Sequence, residues 1–200
     1  PMELRQLARV RAKLARPAGV PSAAEALRDS LGGWLLAVLC RIFAVSHGQP
    51  PCRLVLRAIG PAVRSSEARM AISLCKGLDL ETLRRPSELM AAAFGALPVA
   101  TLSGPSNADE VADGLPTALV LAAQADEALM REVQAAVSGP TLRAYTSSDL
   151  IGVELGGTLK NVYALGAGLC DGLGLGSNAK AAMLTRSLQE MARLGEALGA

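Results

Sequence analysis

A lysine set in the middle of an apolar helical pattern is a chemical signal. Lys160 is the one cationic group in the first half of the run from Gly152 to Arg186. Val153, Leu155, Leu159, Val162 and Leu165 flank it at helical spacing. Lysine is almost never fully buried unless it is paired. A desolvated amine shifts its pKa readily and can then give or take a proton. The alternative is a lysine that snorkels, with only its stem covered. Lys76 closes an apolar run, and Gly104, Pro105 and Ser106 close another and open a helix. Two lysines and a helix amino terminus favour an anion, either a phosphate or a polarised carbonyl oxygen. Gly104 permits close backbone approach to a ligand. Ser106 either bonds a ligand or caps the helix. Asn161 either orients a substrate or bonds across the interface between two parts of the chain. Asp171 and Asn178 read as loop and cap residues, and Lys180 as a surface charge.

The elements that must carry these residues follow from periodicity. Strands are expected at 70–75, 99–103, 117–122 and 142–146. Helices are expected at 86–94, 107–113 and 125–137, with an earlier one at 52–60 that Pro61 ends or bends. Strands alternating with helices argue for an α/β layered part. In such sheets ligands gather at the carboxyl ends of the strands, where Lys76 and Gly104–Ser106 stand. Near residue 150 the period changes. Residues 152–169 and 178–198 read as two helices with no strand between them. Gly176 is expected as a terminator and Ser177 as an N-cap. A cleft between an α/β part and a helical part is a usual ligand position. The glycines at 172, 174 and 176 lack the preceding strand that a dinucleotide loop needs, so they read as a turn.

The rest of the chain narrows the classes. Net charge is +2 and aromatic content 2%, too little of either for a nucleic-acid surface that works by charge and base stacking. Cys40, Cys52, Cys75 and Cys170 form no CxxC pair, and His47 near two of them gives no zinc spacing. No metal is expected, and the thiols are expected free. The apolar run Leu31–Val45 contains Arg41 and falls short of the ~20 residues that a membrane span needs. A buried strand or strand–helix mixture over 34–46 is expected instead, followed by a loop at 46–51. Residues 2–15 read as a basic amphipathic helix, and Ser22 as a cap. The chain begins with proline, so a processed start or a fragment is expected.

The text from Gly152 to Ala200, with its GTLKN, DGLG and N-x-KAA segments, resembles the NAD(P)-dependent glycerol-3-phosphate dehydrogenase family. SLCKGLD at 73–79 and LSGPSNADEVADGLPTALVLA at 102–122 support it. The resemblance implies a partial Rossmann-like dinucleotide-binding domain over 1–148. The start of an incomplete all-helical substrate domain follows, over 149–200. It implies NAD or NADP as cofactor and reversible reduction of dihydroxyacetone phosphate to sn-glycerol 3-phosphate, a glycerolipid precursor. On the family's pattern Lys160 is the catalytic proton donor and acceptor. Lys76, Gly104, Ser106, Lys160 and Asn161 are on the substrate side. Lys76 and Ala108 are on the cofactor side. The cytoplasm is the expected location, with an organelle as the alternative, and a homodimer is a candidate assembly. The family's GxGxxG loop is absent from residues 1–33, and Asn107 replaces a large apolar residue. The family also continues beyond the equivalent of Ala200. The chain is therefore expected to be truncated at both ends. The competing expectation is a catalytically incompetent remnant acting as a subunit or binding module.

Overall fold

The structure is a computed structural model and describes residues 35–36 and 52–200. The expected helix at 2–15, the cap Ser22 and the loop with His47 lie outside the described residues, as does most of the expected element at 34–46.

Five strands form one sheet in sequence order: β1 (Leu35–Leu36), β2 (Met70–Ser73), β3 (Val99–Ser103), β4 (Thr117–Ala123) and β5 (Leu142–Ser147). The β1–β2, β2–β3 and β4–β5 pairs are parallel, and β3–β4 is antiparallel. The helices are α1 (Cys52–Arg64), α2 (Pro86–Phe94), α3 (Ala108–Ala112), α4 (Glu127–Val137), α5 (Leu150–Gly172) and α6 (Gly176–Leu198). An α/β Rossmann-like sheet followed by a helical pair is the observed architecture.

Both faces of the sheet are covered, which is why β2 reads as an unbroken apolar run. Ala71 points into a cluster with Leu56 and Val63 of α1 and Met90 and Phe94 of α2. Its neighbours Met70 and Ile72 point the other way, into a cluster with Leu121, Met130 and Val133. That alternation is the period-2 geometry of a strand. Side chains also cap the helices. Asp126 accepts from Ala128 N at 2.9 Å and Leu129 N at 3.1 Å, and Asp149 accepts from Gly152 N at 2.8 Å.

Four expectations are corrected. Helix α1 runs through Pro61 to Arg64 and is not ended there. Strand β2 stops at Ser73, because Ser73 Oγ accepts from Cys75 N at 3.2 Å and draws the chain out of the ladder. Helix α6 begins at Gly176 (φ +79°), and its N-cap is Leu175, not Ser177. Within α5 the buried residues all lie in the first half. Leu155 is buried, while Val162 and Leu165 are 61% and 73% exposed.

The antiparallel pair decides the route of α5. β2 and β3 end on one edge of the sheet, and β5 ends on the other. A helix leaving β5 must therefore run back along the sheet, and α5 packs against β3 and β4. Ten residues of helix rise about 15 Å, close to the length of a five-residue strand. That is the distance needed to bring Lys160 from the far edge to the edge that carries Lys76.

Candidate active site

Lys76 follows β2 on the segment that leads to α2, and its side chain is exposed. Beside it, Gly77 N donates to Thr158 Oγ1 at 3.0 Å, and that hydroxyl donates to Glu154 O at 2.9 Å. A Cβ on Gly157 would stand 2.9 Å from Ser103 Oγ and 3.8 Å from Lys76 Cγ. The glycine is there because α5 lies hard against the ends of β2 and β3.

One turn after Gly157, Lys160 meets Lys76. The structure places Lys160 as an exposed residue, so its stem is not buried in the apolar stripe. What distinguishes it from an ordinary snorkelling lysine is where it ends, beside a second amine. Lys76 is held below the ordinary lysine value of 10.5. Partial burial of its ammonium is the largest cause, followed by the charge of Lys160 and the polar influence of that same amine. A neutral Lys76 amine can accept from the Lys160 ammonium, which favours the neutral form. Two facing ammonium groups relax when an anion comes between them. The arrangement can therefore hold a phosphate or an oxygen on which negative charge develops.

The other predicted residues are less tightly gathered. Gly104 has φ +149°. A Cβ there would sit 2.8 Å from Ala118 O and 3.0 Å from Leu119 Cδ2. The close approach seen here is to the backbone of β4. Ser106 donates to Gly104 O at 3.3 Å and does not cap the helix. Asn107 is the N-cap of α3, accepting from Asp109 N at 2.9 Å. That role accounts for a polar residue at this position. Ala108 is the first residue of α3. Asn161 is exposed on α5 and is not brought onto Lys76 by any hydrogen bond among the described residues. Asp171 lies inside α5, not in a loop, and both its carboxylate oxygens accept from Lys180 Nζ, at 2.8 and 2.9 Å. Lys180 is thus a cross-link between α5 and α6, not a bare surface charge. An open groove of about 690 Å³ between α4 and the start of β5 contains none of the predicted residues.

Sequence reading missed three residues that hold α5 in place: Arg85, Ser87 and Glu154. Glu154 is 4% exposed. It accepts from Arg85 Nη1 at 2.8 Å, from Ser87 N at 2.9 Å and from Ser87 Oγ. A lone carboxylate inside the apolar text GVELGG was the available signal, since buried charges are paired.

Comparison with known proteins agrees with this layout. The family model described as NAD-dependent glycerol-3-phosphate dehydrogenase N-terminus matches residues 39–129. The model for the C-terminus of the same enzyme matches residues 149–200. The glycerol-3-phosphate dehydrogenase (NAD(P)+) of Paucimonas lemoignei is 47% identical over 146 residues, covering 72% of this chain and 43% of its own. That of Thermus thermophilus is 57% identical over 130 residues, covering 64% of this chain and 39% of its own. The crystal structure of glycerol-3-phosphate dehydrogenase from Coxiella burnetii superposes with a TM-score of 0.68 at 39% identity, over 74% of this chain and 45% of that one. The chain spans less than half the length of these relatives. Two models of one family match in order, one over most of the sheet and one over the helical pair, so the chain belongs to the NAD-dependent glycerol-3-phosphate dehydrogenase family.

Proposed function

We propose that this chain carries the substrate-side chemistry of an NAD(P)H-dependent reduction of dihydroxyacetone phosphate to sn-glycerol 3-phosphate. The observation that supports it most directly is the meeting of Lys160 with Lys76 at the carboxyl ends of β2 and β3. In this reading residues 1–148 form the cofactor-binding part and residues 149–200 begin the substrate part. Lys160 is the proton donor. As the carbonyl carbon receives a hydride, its π electrons move to oxygen. The Lys160 N–H bond breaks, the proton goes to that oxygen, and the neutral amine is reprotonated from water. In the reverse direction Lys160 accepts the alcohol proton. Lys76 supplies a second positive charge to the developing oxyanion or to the substrate phosphate.

An exposed cationic donor at the strand ends, beside a glycine turn, suits the substrate-facing end of a bound dinucleotide. Lys76 and the start of α3 at Ala108 would border it. The nicotinamide, when bound, supplies the hydride. Gly104, Ser106 and Asn161 are assigned to the substrate side on the family's pattern. The cytoplasm and a homodimeric assembly belong to the same proposal, the latter read by sedimentation velocity. No helix among the described residues is long and apolar enough to cross a membrane.

The test is NADH or NADPH oxidation by this chain with dihydroxyacetone phosphate, beside Lys160→Ala. Loss of about 10²–10⁴-fold in turnover on substitution is the expected result. Full activity in the substituted chain would remove Lys160 from the role.

A further inference from the structure

We propose that Glu154 is a positioning residue: its buried carboxylate, held by Arg85 and Ser87, sets where α5 stands along the sheet and so puts Lys160 against Lys76. The proposal rests on the reading of Lys160 as the proton donor.

The surface of α5 that faces the sheet offers little to fix its axial position. Gly157 stands there, against Ser103 and Lys76, and glycine has no side chain to lock into a neighbour. An apolar contact is non-directional and tolerates sliding. A slip of one residue would translate the helix about 1.5 Å and rotate it about 100°. Lys160 would then leave Lys76. A directional, charge-assisted network resists such a slip.

Two polar anchors supply that direction. Glu154 and Thr158 are four residues apart, on one face of the helix. Thr158 takes the Gly77 amide at 3.0 Å. Glu154 takes the Ser87 amide at 2.9 Å and Arg85 Nη1 at 2.8 Å. Gly77 lies near the start of the segment between β2 and α2, Arg85 ends it as the N-cap of α2, and Ser87 stands in the first turn of α2. Lys76 is on that same segment. The anchors therefore tie the helix that carries one lysine to the connection that carries the other. Arg85 also remains paired to Glu88 of α2, 3.4 Å away. The carboxylate of Glu154 further meets the amino end of α2, where the helix dipole favours a negative charge. Lys160 lies six residues beyond Glu154, about 9 Å along the axis. Its place is thus set by a residue that does not touch it.

The measurement is the titration of Lys76 in the full chain. Only four lysines are present, Lys13, Lys76, Lys160 and Lys180. Lysine labelled with ¹³C at Cε resolves each, with assignment by Lys→Arg variants. In the parent, Lys76 is expected to titrate below 10.5. In Glu154→Ala its midpoint is expected to rise toward that value, as Lys160 moves away. Direction matters here. Loss of the carboxylate's own negative charge would push Lys76 down, so a rise reports separation from Lys160. Lys160→Met is expected to raise the midpoint as well. Combining it with Glu154→Ala should add nothing more, because both remove one interaction. Glu154→Gln keeps the shape of the side chain and carries the same test if the alanine variant does not fold. Retained amide signals of β2–β4 certify the fold in each case. An unchanged Lys76 midpoint in a folded Glu154 variant, or full additivity with Lys160→Met, overturns the proposal. If the carboxylate were purely stabilising, its removal would lower the melting temperature and leave the titration alone, which is that same overturning result. The readout needs no turnover. Absent NADH oxidation beside a shifted Lys76 would defeat the catalytic reading and leave the positioning result standing.

Discussion

Lys76 and Lys160 repel each other where they meet, and that repulsion is a usable property. Lys76 is lowered in the folded chain, so the native state binds fewer protons than the unfolded one between the folded value and 10.5. Native stability is therefore expected to gain as pH climbs through that window, seen as a shift in the urea midpoint. Anion affinity runs the opposite way. A phosphate dianion favours a protonated Lys76, so binding of inorganic phosphate is expected to be strongest below the folded value. It weakens as pH rises through it. Isothermal titration across pH 7–10.5 checks this, and Lys160→Met should move the break upward. The two lysines were legible as chemistry in the sequence because each interrupts or ends an apolar run. Glu154 interrupts one too, but its meaning depends on Arg85, 69 residues away.

At the scale of elements, α5 shows what its glycines are for. Gly157 is packed against Ser103 Oγ, whereas nothing stands within 4 Å of a Cβ added at Gly168. Gly168→Ala is expected to stabilise the chain by about 0.5–1 kcal/mol, the ordinary helix-propensity gain. Chemical denaturation measures it. Gly157→Ala has the same propensity gain but must displace Ser103 Oγ, so its stabilisation should be smaller or reversed. Helix α4 depends on its cap. Asp126→Ala is expected to cost about 0.5–2 kcal/mol through two lost amide bonds. Most of these elements were readable from periodicity, since α2 and β3 coincide with their expected ranges. The errors fell at ends, where single contacts decide. Ser73 stops β2 by binding the next turn, and Pro61 is carried inside α1 because that helix packs Leu56 and Val63 into the core on either side of it.

Across the whole molecule, the sheet and the helical pair differ in how they are held. Helix α6 buries only Ser187 and Gly195, and it reaches the rest of the chain chiefly through α5. Leu169, Leu173 and Leu188 on this pair are 65%, 70% and 65% exposed. Amides of α6 are expected to exchange with deuterium well before those of β2–β4, since few buried contacts oppose their opening. Equal protection would mean that another surface covers the pair. Removing Glu154 should weaken the docking of α5 and lower the melting temperature, by less than the ~3–5 kcal/mol of a wholly orphaned buried charge, because Arg85 keeps Glu88. By itself the sequence determined the α/β-then-helical order, the candidate lysines and, through the GTLKN text, the family. These are local properties, set by periodicity and by residue type. The tertiary structure decided that β3 and β4 run antiparallel, and hence that α5 returns to the edge where β2 ends. It also decided that Gly104 faces β4, and that a buried carboxylate ties the two lysines' segments together. Those facts depend on residues far apart in the chain, and no local pattern encodes which of them meet.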